Sequence, residues 1–580
     1  MAITPEIKQK YDSWLNSPYI DDADKVELRD IAEQPDEIVE RFYQDMAFGT
    51  GGLRGIRGMG TNRLNKYVVR KATQGLANYM LKSDPEAQSK GVVIAHDSRI
   101  MSPEFSVEAA MVLAGNGIKA YLFDSLRPTP ELSFAVRELG ALSGIVVTAS
   151  HNPPAYNGYK VYWEDGAQIV PPHDTGIISE VNAIEDFAEV KVMDEAEAKA
   201  AGLIVVLGAD MDDKYTAAVK EQVVSADAIA QVAEEFPIVY TPLHGTGNLP
   251  VQAALKAAGF TQVFVVPEQE APDGNFPTVA YPNPEEPAVF ELGIKLAEEK
   301  GSTIVMANDP DADRIGVAVR AEDGTWHYPN GNQIGLLLTE YILDREEVPA
   351  NAAVISTVVS TPMLDKVTEA HNVKQFRTLT GFKYIGEKIR QFEEGTYDAT
   401  YVFGFEESYG YLKGTHSRDK DAVVSTMLIA DMAAYFHAQG SDILKELDKL
   451  YAKYGYYQET LKSFSLSGKA GAEKIKAIMA SFRDDSPSEI NGSKVIIRRD
   501  FLKGEETDLV AGTTTKLDLP SSNVLQFVTE NGAHITMRPS GTEPKIKFYF
   551  GVKADTQAAV SQLLNETVDA FMASLEQVMA

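Results

Sequence analysis

Three aspartates stand two apart at Asp309, Asp311 and Asp313, directly after the apolar run Thr303-Ile304-Val305-Met306. In extended backbone, alternate side chains share one face. Three carboxylates pointing together repel one another unless a cation joins them. All-oxygen ligation suits Mg²⁺ or Ca²⁺. Two other readings of the run fail locally. An EF-hand needs Gly at loop position six and Glu at twelve, where this chain has Arg314 and Arg320. An aspartyl phosphatase pattern wants Asp-x-Asp-x-Thr/Val, and the chain offers Asp or Arg at the last position. A three-carboxylate magnesium site takes a phosphate oxygen to complete its shell. The sequence holds a residue that could carry one. In Ile145-Val146-Val147-Thr148-Ala149-Ser150-His151-Asn152-Pro153, a β-branched apolar run ends abruptly in polar residues. A serine at the carboxyl end of a buried strand faces the crevice where open α/β sheets bind ligands. Ser150 is therefore the candidate phosphoryl carrier, with Asp309, Asp311, Asp313 and the Ser150 phosphate as metal ligands. A metal there neutralises charge on the group being transferred. His151 is placed to exchange a proton with the attacking or leaving oxygen.

Three further loops suit an anionic or polyhydroxylated ligand. Gly49-Thr50-Gly51-Gly52-Leu53-Arg54 lets backbone amides approach closely and adds a forked donor at Arg54. Glu406-Glu407-Ser408 sets two carboxylates and a hydroxyl in a loop that can grip vicinal sugar hydroxyls, with Arg418 and Lys420 just beyond. Arg538-Pro539-Ser540-Gly541-Thr542-Glu543-Pro544-Lys545 bridges two alternating runs as an anion nest, and it is long for a hairpin loop. Taken singly, each loop also fits a plain structural role: a flexible turn, a Glu-rich helix start, a strand connection.

These residues need elements to position them. Residues 1–46 read as a polar helical lead-in. Strand 92–94, helix 105–116, strand 119–124 and the strand ending at Thr148 alternate as an α/β layer does. Residues 185–215 read as a helical exit. A second α/β unit runs from strand 237–240 through helix 250–258, strand 262–266, a long loop at 267–287 and helix 288–300 to the strand before Asp309. A third unit opens near 330 and a fourth near 455, the last ending in strands 533–538 and 546–552. At roughly 100–200 residues per domain, the 580 residues imply about four domains, placed at 1–205, 206–322, 323–452 and 453–580.

The net charge of -30, from 84 acidic and 54 basic residues, repels phosphate backbones and anionic membranes. No nucleic-acid or membrane partner is expected, and an anionic ligand must be held by local basic residues. There is no cysteine, so disulfides and thiolate metal sites are excluded. The amino-terminal residues lack a secretory pattern. The most apolar long run, 422–436, contains Ser, Thr and Asp and is too short to span a bilayer. A cytoplasmic location is the expectation.

With these motifs in hand, the chain resembles the α-D-phosphohexomutases of the phosphoglucomutase/phosphomannomutase type. Thr148-Ala-Ser150-His-Asn-Pro is similar to their phosphoserine loop, Asp309-Pro-Asp-Ala-Asp-Arg314 to their metal loop, Glu406-Glu-Ser408 to their sugar-recognition loop and Arg538 to Thr542 to their phosphate loop. The matches follow the family's order over nearly the whole chain. The resemblance implies three mixed α/β sheet domains and a smaller C-terminal α+β domain around a central cleft. It implies Mg²⁺, a sugar monophosphate substrate and glucose 1,6-bisphosphate as intermediate and activator. Phosphoserine would donate its phosphoryl group to the free hydroxyl of the sugar phosphate, and the reoriented bisphosphate would return its other group to Ser150. Carried over by motif, Arg54, Arg314, Thr380, Gly381, Glu406, Ser408, Arg538, Ser540, Gly541 and Thr542 would contact substrate, and Lys420 would act with His151 in proton transfer. Phe405, where many relatives have Gly, is similar to the branch holding long bacterial α-phosphoglucomutases and related phosphopentomutases. The resemblance implies glucose rather than ribose, because Ser408 is kept as in glucose-handling members. The expectation is interconversion of glucose 1-phosphate and glucose 6-phosphate. The same chemistry on pentose or mannose phosphates is the alternative. A metal-dependent phosphatase or bisphosphate synthase is a different class, and nothing in the sequence marks its water-positioning base.

Overall fold

The structure, a computed structural model, describes residues 3–49, 51–466, 468–540 and 545–579, with backbone alone at 468–470 and 472. It divides into two compact units: residues 1–331 with 382–441, and residues 332–381 with 442–580.

The first unit opens with helices Pro5–Asn16, Asp24–Asp30 and Pro35–Phe42. Their apolar stripes bury Tyr11, Trp14, Leu28 and Phe42 against Tyr67, so the polar lead-in has a small aromatic core of its own. A six-stranded mixed sheet follows. Its central strands, Val92–His96 and Ser143–Val147, are buried throughout and pair in parallel, with His96 opposite Val147. Continuous apolar runs of this kind are what a strand covered on both faces requires. Tyr156–Trp163 and Gly52–Ile56 add antiparallel strands on one side. Ala120–Phe123 and Ile204–Leu207 add parallel strands on the other. The stretch 185–215 is therefore not simply helical. Helix Glu195–Ala200 gives way to the edge strand Ile204–Leu207 before helix Ala209–Lys220, because Leu203–Leu207 is an apolar run long enough to pair with a neighbouring strand.

The second sheet of this unit has five strands. Ile304–Asn308 lies between Ile238–Thr241, parallel to it, and Ile315–Arg320, antiparallel to it. The metal-type aspartates occupy the connection between these last two strands. That backbone is not extended, as the alternate spacing suggested. It is a tight turn in which Ala312 has φ +50°, and the turn itself draws the three side chains together. The unit is completed by the antiparallel pair Thr400–Glu406 and Gly410–Lys413 and by the almost wholly buried helix Ala422–Ala438.

In the second unit, strands Ala352–Thr357 and Lys374–Thr378 pair in parallel. An antiparallel sheet runs in the order Tyr456–Ser465, Lys545–Ala554, His534–Pro539, Leu525–Thr529, Ser493–Asp500, Glu505–Asp508 and Thr513–Lys516. Helices Gly468–Asp484 and Gln557–Met579 close the core around Phe482, Phe548, Phe550 and Phe571.

This unit carries a carboxyl in an unusual state. Glu459 lies opposite Gly551 in the ladder and faces the Thr361 and Asn332 side chains. The residue is partly exposed, yet its Oε1 is enclosed without a hydrogen-bond partner among the described residues. Burial pushes the carboxyl up to about 7, against 4.5 ordinarily. Between those values the folded protein keeps a proton that the unfolded chain has lost, so stability falls as pH rises through the window. Glu459→Gln is expected to remove this pH dependence and to raise stability at pH 8 by up to about 3 kcal/mol relative to the parent. Denaturant midpoints of the two proteins at pH 5 and pH 8 check this. Parallel profiles would count against it.

Candidate active site

Ser150 lies just beyond the carboxyl end of strand Ser143–Val147, with 2 % of its surface exposed and φ +52°. A non-glycine residue in this left-handed region is held there by its surroundings. The Ser150 amide donates to Thr148 Oγ1 (2.8 Å), whose hydroxyl in turn donates to Asp97 Oδ2 (2.6 Å). Ser150 Oγ donates to Asp309 Oδ2 at 2.6 Å and lies 3.1 Å from His151 Nδ1. Packing of the first sheet against the second thus brings together residues about 160 positions apart. Burial, followed by the charges of Arg314 and Arg54, pushes His151 well below its ordinary value, so the imidazole is neutral.

Asp309, Asp311 and Asp313 are all buried, and one oxygen from each lies within 4.8 Å of the others. The turn is clasped through three successive carbonyls. Thr246, Thr129 and Ala422 donate their amides to Pro310, Asp311 and Ala312 at 2.8, 2.9 and 3.1 Å. Two of those donors, Thr129 and Ala422, are first residues of helices, where amides are otherwise unpaired. Asp309 Oδ1 accepts the amides of Asp313 and Arg314. Burial and the like charges of Asp311 and Asp313 push Asp309 well above the carboxylate range. Burial acts on Asp313 in the same sense, but Lys420, Lys160 and Arg314 hold it well below. Oδ1 of Asp311 and Oδ1 of Asp313 are buried without a hydrogen-bond partner among the described residues. Enclosed carboxylate oxygens left unpaired are what a hard cation would satisfy, so the donor set fits a divalent metal. Glu340, Asp344 and His371, in the second unit, form another trio of possible ligands. There Glu340 already accepts from Lys453 Nζ at 2.6 Å and from the Tyr454 hydroxyl at 2.9 Å.

Basic side chains gather around the aspartates despite the acidic chain. Lys160 Nζ lies 2.7 Å from Asp311 Oδ2 and 3.1 Å from Asp313 Oδ2. Lys420 Nζ lies 3.2 Å from Asp313 and 3.0 Å from Asp419, which also accepts from the Tyr162 hydroxyl at 2.7 Å. Burial alone would depress Lys420, but Asp313, Asp419 and Glu406 more than offset it and keep the ammonium charged. Arg314 pairs with Glu285 at 2.9 Å. Arg54 is exposed on strand Gly52–Ile56. Glu406 is buried at the end of its strand, and Ser408 sits half-buried in the following turn.

The stem of Lys420 runs over Gly410, where a Cβ would fall 2.1 Å from Lys420 Cδ and 2.6 Å from Cγ. Gly410→Ala is expected to displace the ammonium and lower turnover about 10–100-fold, with roughly 1–3 kcal/mol lost in stability. Steady-state rates and a denaturant melt on one preparation check both. An unchanged rate would mean that the position of Lys420 is immaterial.

Ser150, His151, Arg54, Asp309, Asp311, Asp313, Arg314, Glu406, Ser408 and Lys420 all belong to the first unit. Thr380 and Gly381 lie in the second, just after strand Lys374–Thr378, where Gly381 has φ +122°. Arg538 is near the end of strand His534–Pro539, 3.5 Å from the Tyr549 hydroxyl, and the Ser540 amide donates to the Lys545 carbonyl at 2.7 Å. Gly541 and Thr542 lie outside the described residues. Lys160, Thr129, Asp419, Asp97 and Arg99 were not singled out from the sequence. Lys160 is the one charged residue in Tyr156–Trp163, and Asp97-Ser98-Arg99 ends a buried strand in the same manner as Ser150. Those signals were present.

Residues 45–188, 213–324 and 330–454 match the families described as phosphoglucomutase/phosphomannomutase alpha/beta/alpha domains I, II and III, and residues 467–570 match the corresponding C-terminal domain. A phosphoglucomutase of Staphylococcus saprophyticus is 38% identical over 522 residues, spanning 90% of this chain and 93% of the relative. One of Staphylococcus epidermidis is 36% identical over 556 residues, spanning 96% and 100%. Among solved structures, a phosphoglucomutase/phosphomannomutase family protein of Burkholderia thailandensis superposes with a TM-score of 0.64 at 20% identity, covering 92% of this chain and 98% of that one. The exocytosis-sensitive phosphoprotein pp63/parafusin (phosphoglucomutase) of Paramecium superposes with 0.67 at 18%, covering 92% and 96%. Four matches in sequence order, with mixed sheets in the first three, show the four-domain α/β architecture expected.

Proposed function

The chain belongs to the phosphoglucomutase/phosphomannomutase family, and from that premise we propose that it is an isomerase interconverting α-D-glucose 1-phosphate and glucose 6-phosphate through phosphorylated Ser150. The observation that carries this is the Ser150 hydroxyl donating to Asp309 at 2.6 Å inside a buried three-aspartate turn. A nucleophile there is set beside a carboxylate trio suited to a divalent cation.

The family is generally metal-dependent, and we assign Mg²⁺ to Asp309, Asp311 and Asp313 with an oxygen of the seryl phosphate. When bound, the metal neutralises charge on the phosphoryl group. The protein's own groups do the rest. The sugar hydroxyl oxygen bonds to phosphorus as the Ser150 Oγ–P bond breaks. The hydroxyl proton passes to a base, and the seryl oxygen takes one up. Neutral His151, 3.1 Å from Oγ, is suited to accept a proton; Lys420, held charged by its carboxylates, is suited to donate one or to stabilise negative charge. Glu406 and Ser408 would take the sugar hydroxyls, and Arg54 and Arg314 the phosphates. Thr380, Gly381, Arg538, Ser540, Gly541 and Thr542 would hold a phosphate in the second unit. Glucose 1,6-bisphosphate is then the intermediate, and traces of it load Ser150. Free sugar phosphates as substrates imply work in the cytoplasm. Among the described residues no helix is long and apolar enough to cross a membrane.

The test is product formation from glucose 1-phosphate, mannose 1-phosphate and ribose 1-phosphate, with and without glucose 1,6-bisphosphate, with free phosphate measured alongside. Glucose 6-phosphate should form fastest and depend on the bisphosphate. Phosphate release as fast as isomer formation would sink the mutase assignment, and faster turnover of ribose 1-phosphate would move it to pentoses.

A further inference from the structure

The loop that carries Ser150 is held from behind by one fully buried side chain. The Arg99 guanidinium donates to the carbonyls of Ser150 and Asn152 through Nη2, and to those of Pro153 and Tyr156 at 2.9 and 3.1 Å through Nη1. Its charge is balanced by Asp97, 0 % exposed, with Arg99 Nε 3.2 Å from Asp97 Oδ2 and the Arg99 amide 2.9 Å from Oδ1. Only the planar fork of an arginine can reach four carbonyls and a carboxylate at once.

The guanidinium is also covered from the second sheet's side. Its central carbon lies over the ring of Phe276, a buried residue at φ +48°, 5.0 Å from the ring centroid. Gly274 lies so close that a Cβ would fall 2.5 Å from the Ile100 nitrogen and 2.8 Å from the Ser98 oxygen. The same segment, read from sequence as a long loop, is tied at several points to the metal turn. His244 faces the Ala271 carbonyl at 3.0 Å and the Thr278 hydroxyl at 2.9 Å, and two residues on Thr246 holds Pro310. Further along, Glu285 holds Arg314. Residues 271–286 therefore form a strap, one end pressed on the residue that grips the serine loop and the other on the aspartate turn.

We propose that Arg99, capped by Phe276, is a positioning residue that keeps Ser150 in register with the aspartate turn and so decides whether the seryl phosphate passes to a sugar hydroxyl or is lost to water. This rests on the mutase function above. Transfer to a sugar needs the seryl phosphorus, the acceptor oxygen and the aspartate turn aligned. Ser150 sits at a backbone angle that it holds only under constraint. Without the fork it can relax by a fraction of an ångström. A bound sugar cannot follow such a shift, whereas water, replacing the sugar hydroxyl as the atom that bonds to phosphorus, arrives from any open side.

Arg99→Lys keeps the charge beside Asp97 but not the four carbonyl bonds, and Phe276→Leu keeps apolar bulk but removes the ring face. Each is loaded with glucose 1,6-bisphosphate, and phosphoserine lifetime by intact mass, free phosphate and glucose 6-phosphate are followed together, per folded molecule as judged by near-ultraviolet circular dichroism. Arg99→Lys should raise the ratio of phosphate released to isomer formed at least about tenfold and Phe276→Leu about threefold, both through slower sugar transfer. A parent that forms no isomer would refute the mutase function itself. A parent that is active, with folded variants whose ratios match it, would overturn the role of Arg99. Should Arg99→Lys fail to fold, Phe276→Leu decides alone.

Discussion

Ser150→Ala is expected to form isomer at less than about one ten-thousandth of the parent rate, with its fold intact. The effect is large because the hydroxyl is the proposed covalent carrier, and the neighbouring hydroxyl cannot take its place. Thr148 Oγ1 is committed to Asp97 and to the Ser150 amide. The structural consequence is small by comparison. Alanine tolerates φ +52° no worse than serine, so the main loss is the hydrogen bond to Asp309, worth about 1–3 kcal/mol to a buried carboxyl. A coupled assay for glucose 6-phosphate measures the rate. Intact mass after incubation with glucose 1,6-bisphosphate should show one added phosphoryl group on the parent and none on the variant. Activity within tenfold of the parent would remove Ser150 from the reaction.

Stripping divalent cations should lower turnover by at least about a thousandfold, with recovery on adding Mg²⁺. The warrant lies in the aspartate turn rather than in the family alone. Three buried carboxylates share one small region, with Asp311 Oδ1 and Asp313 Oδ1 lacking a hydrogen-bond partner among the described residues. Lys160 and Lys420 neutralise part of that charge through the Oδ2 atoms. Burial and like charge push Asp309 well above the usual carboxylate range. Protons therefore compete with a cation for this carboxylate. Metal affinity should accordingly rise with pH, and binding should release protons, a quantity that calorimetry in buffers of different ionisation enthalpy reads directly. A bound cation should also raise the melting temperature by several degrees through linkage. No proton release together with full activity in chelator would show that the turn is only structural.

Local chemistry was legible in the chain before any fold was known. The alternate spacing of Asp309, Asp311 and Asp313, the polar break at Ser150 after three β-branched residues and the Arg538 loop all announce themselves by residue type alone. What they announce is incomplete. The aspartates converge through a tight turn with Ala312 in the left-handed region, not through an extended strand, because three amides from distant elements clasp its carbonyls. Lys160 was hidden in a strand with no other charged residue, and Arg99 in a loop whose importance lies in the carbonyls that it reaches. The stretch 267–287 looked like slack between elements; in the fold it presses Phe276 onto Arg99.

By itself the sequence determined which groups are available and the family to which they belong, since a nucleophile, a carboxylate set and an anion loop are properties of residue type and short spacing. Only the tertiary structure decided that Ser150 meets Asp309, that Lys420 stays charged over Gly410 and that Asp97 and Arg99 stand behind the serine. The reason is range. Residue identity constrains the backbone for a few positions on either side. Contacts between distant segments depend on the packing of whole sheets, and no single segment carries that information.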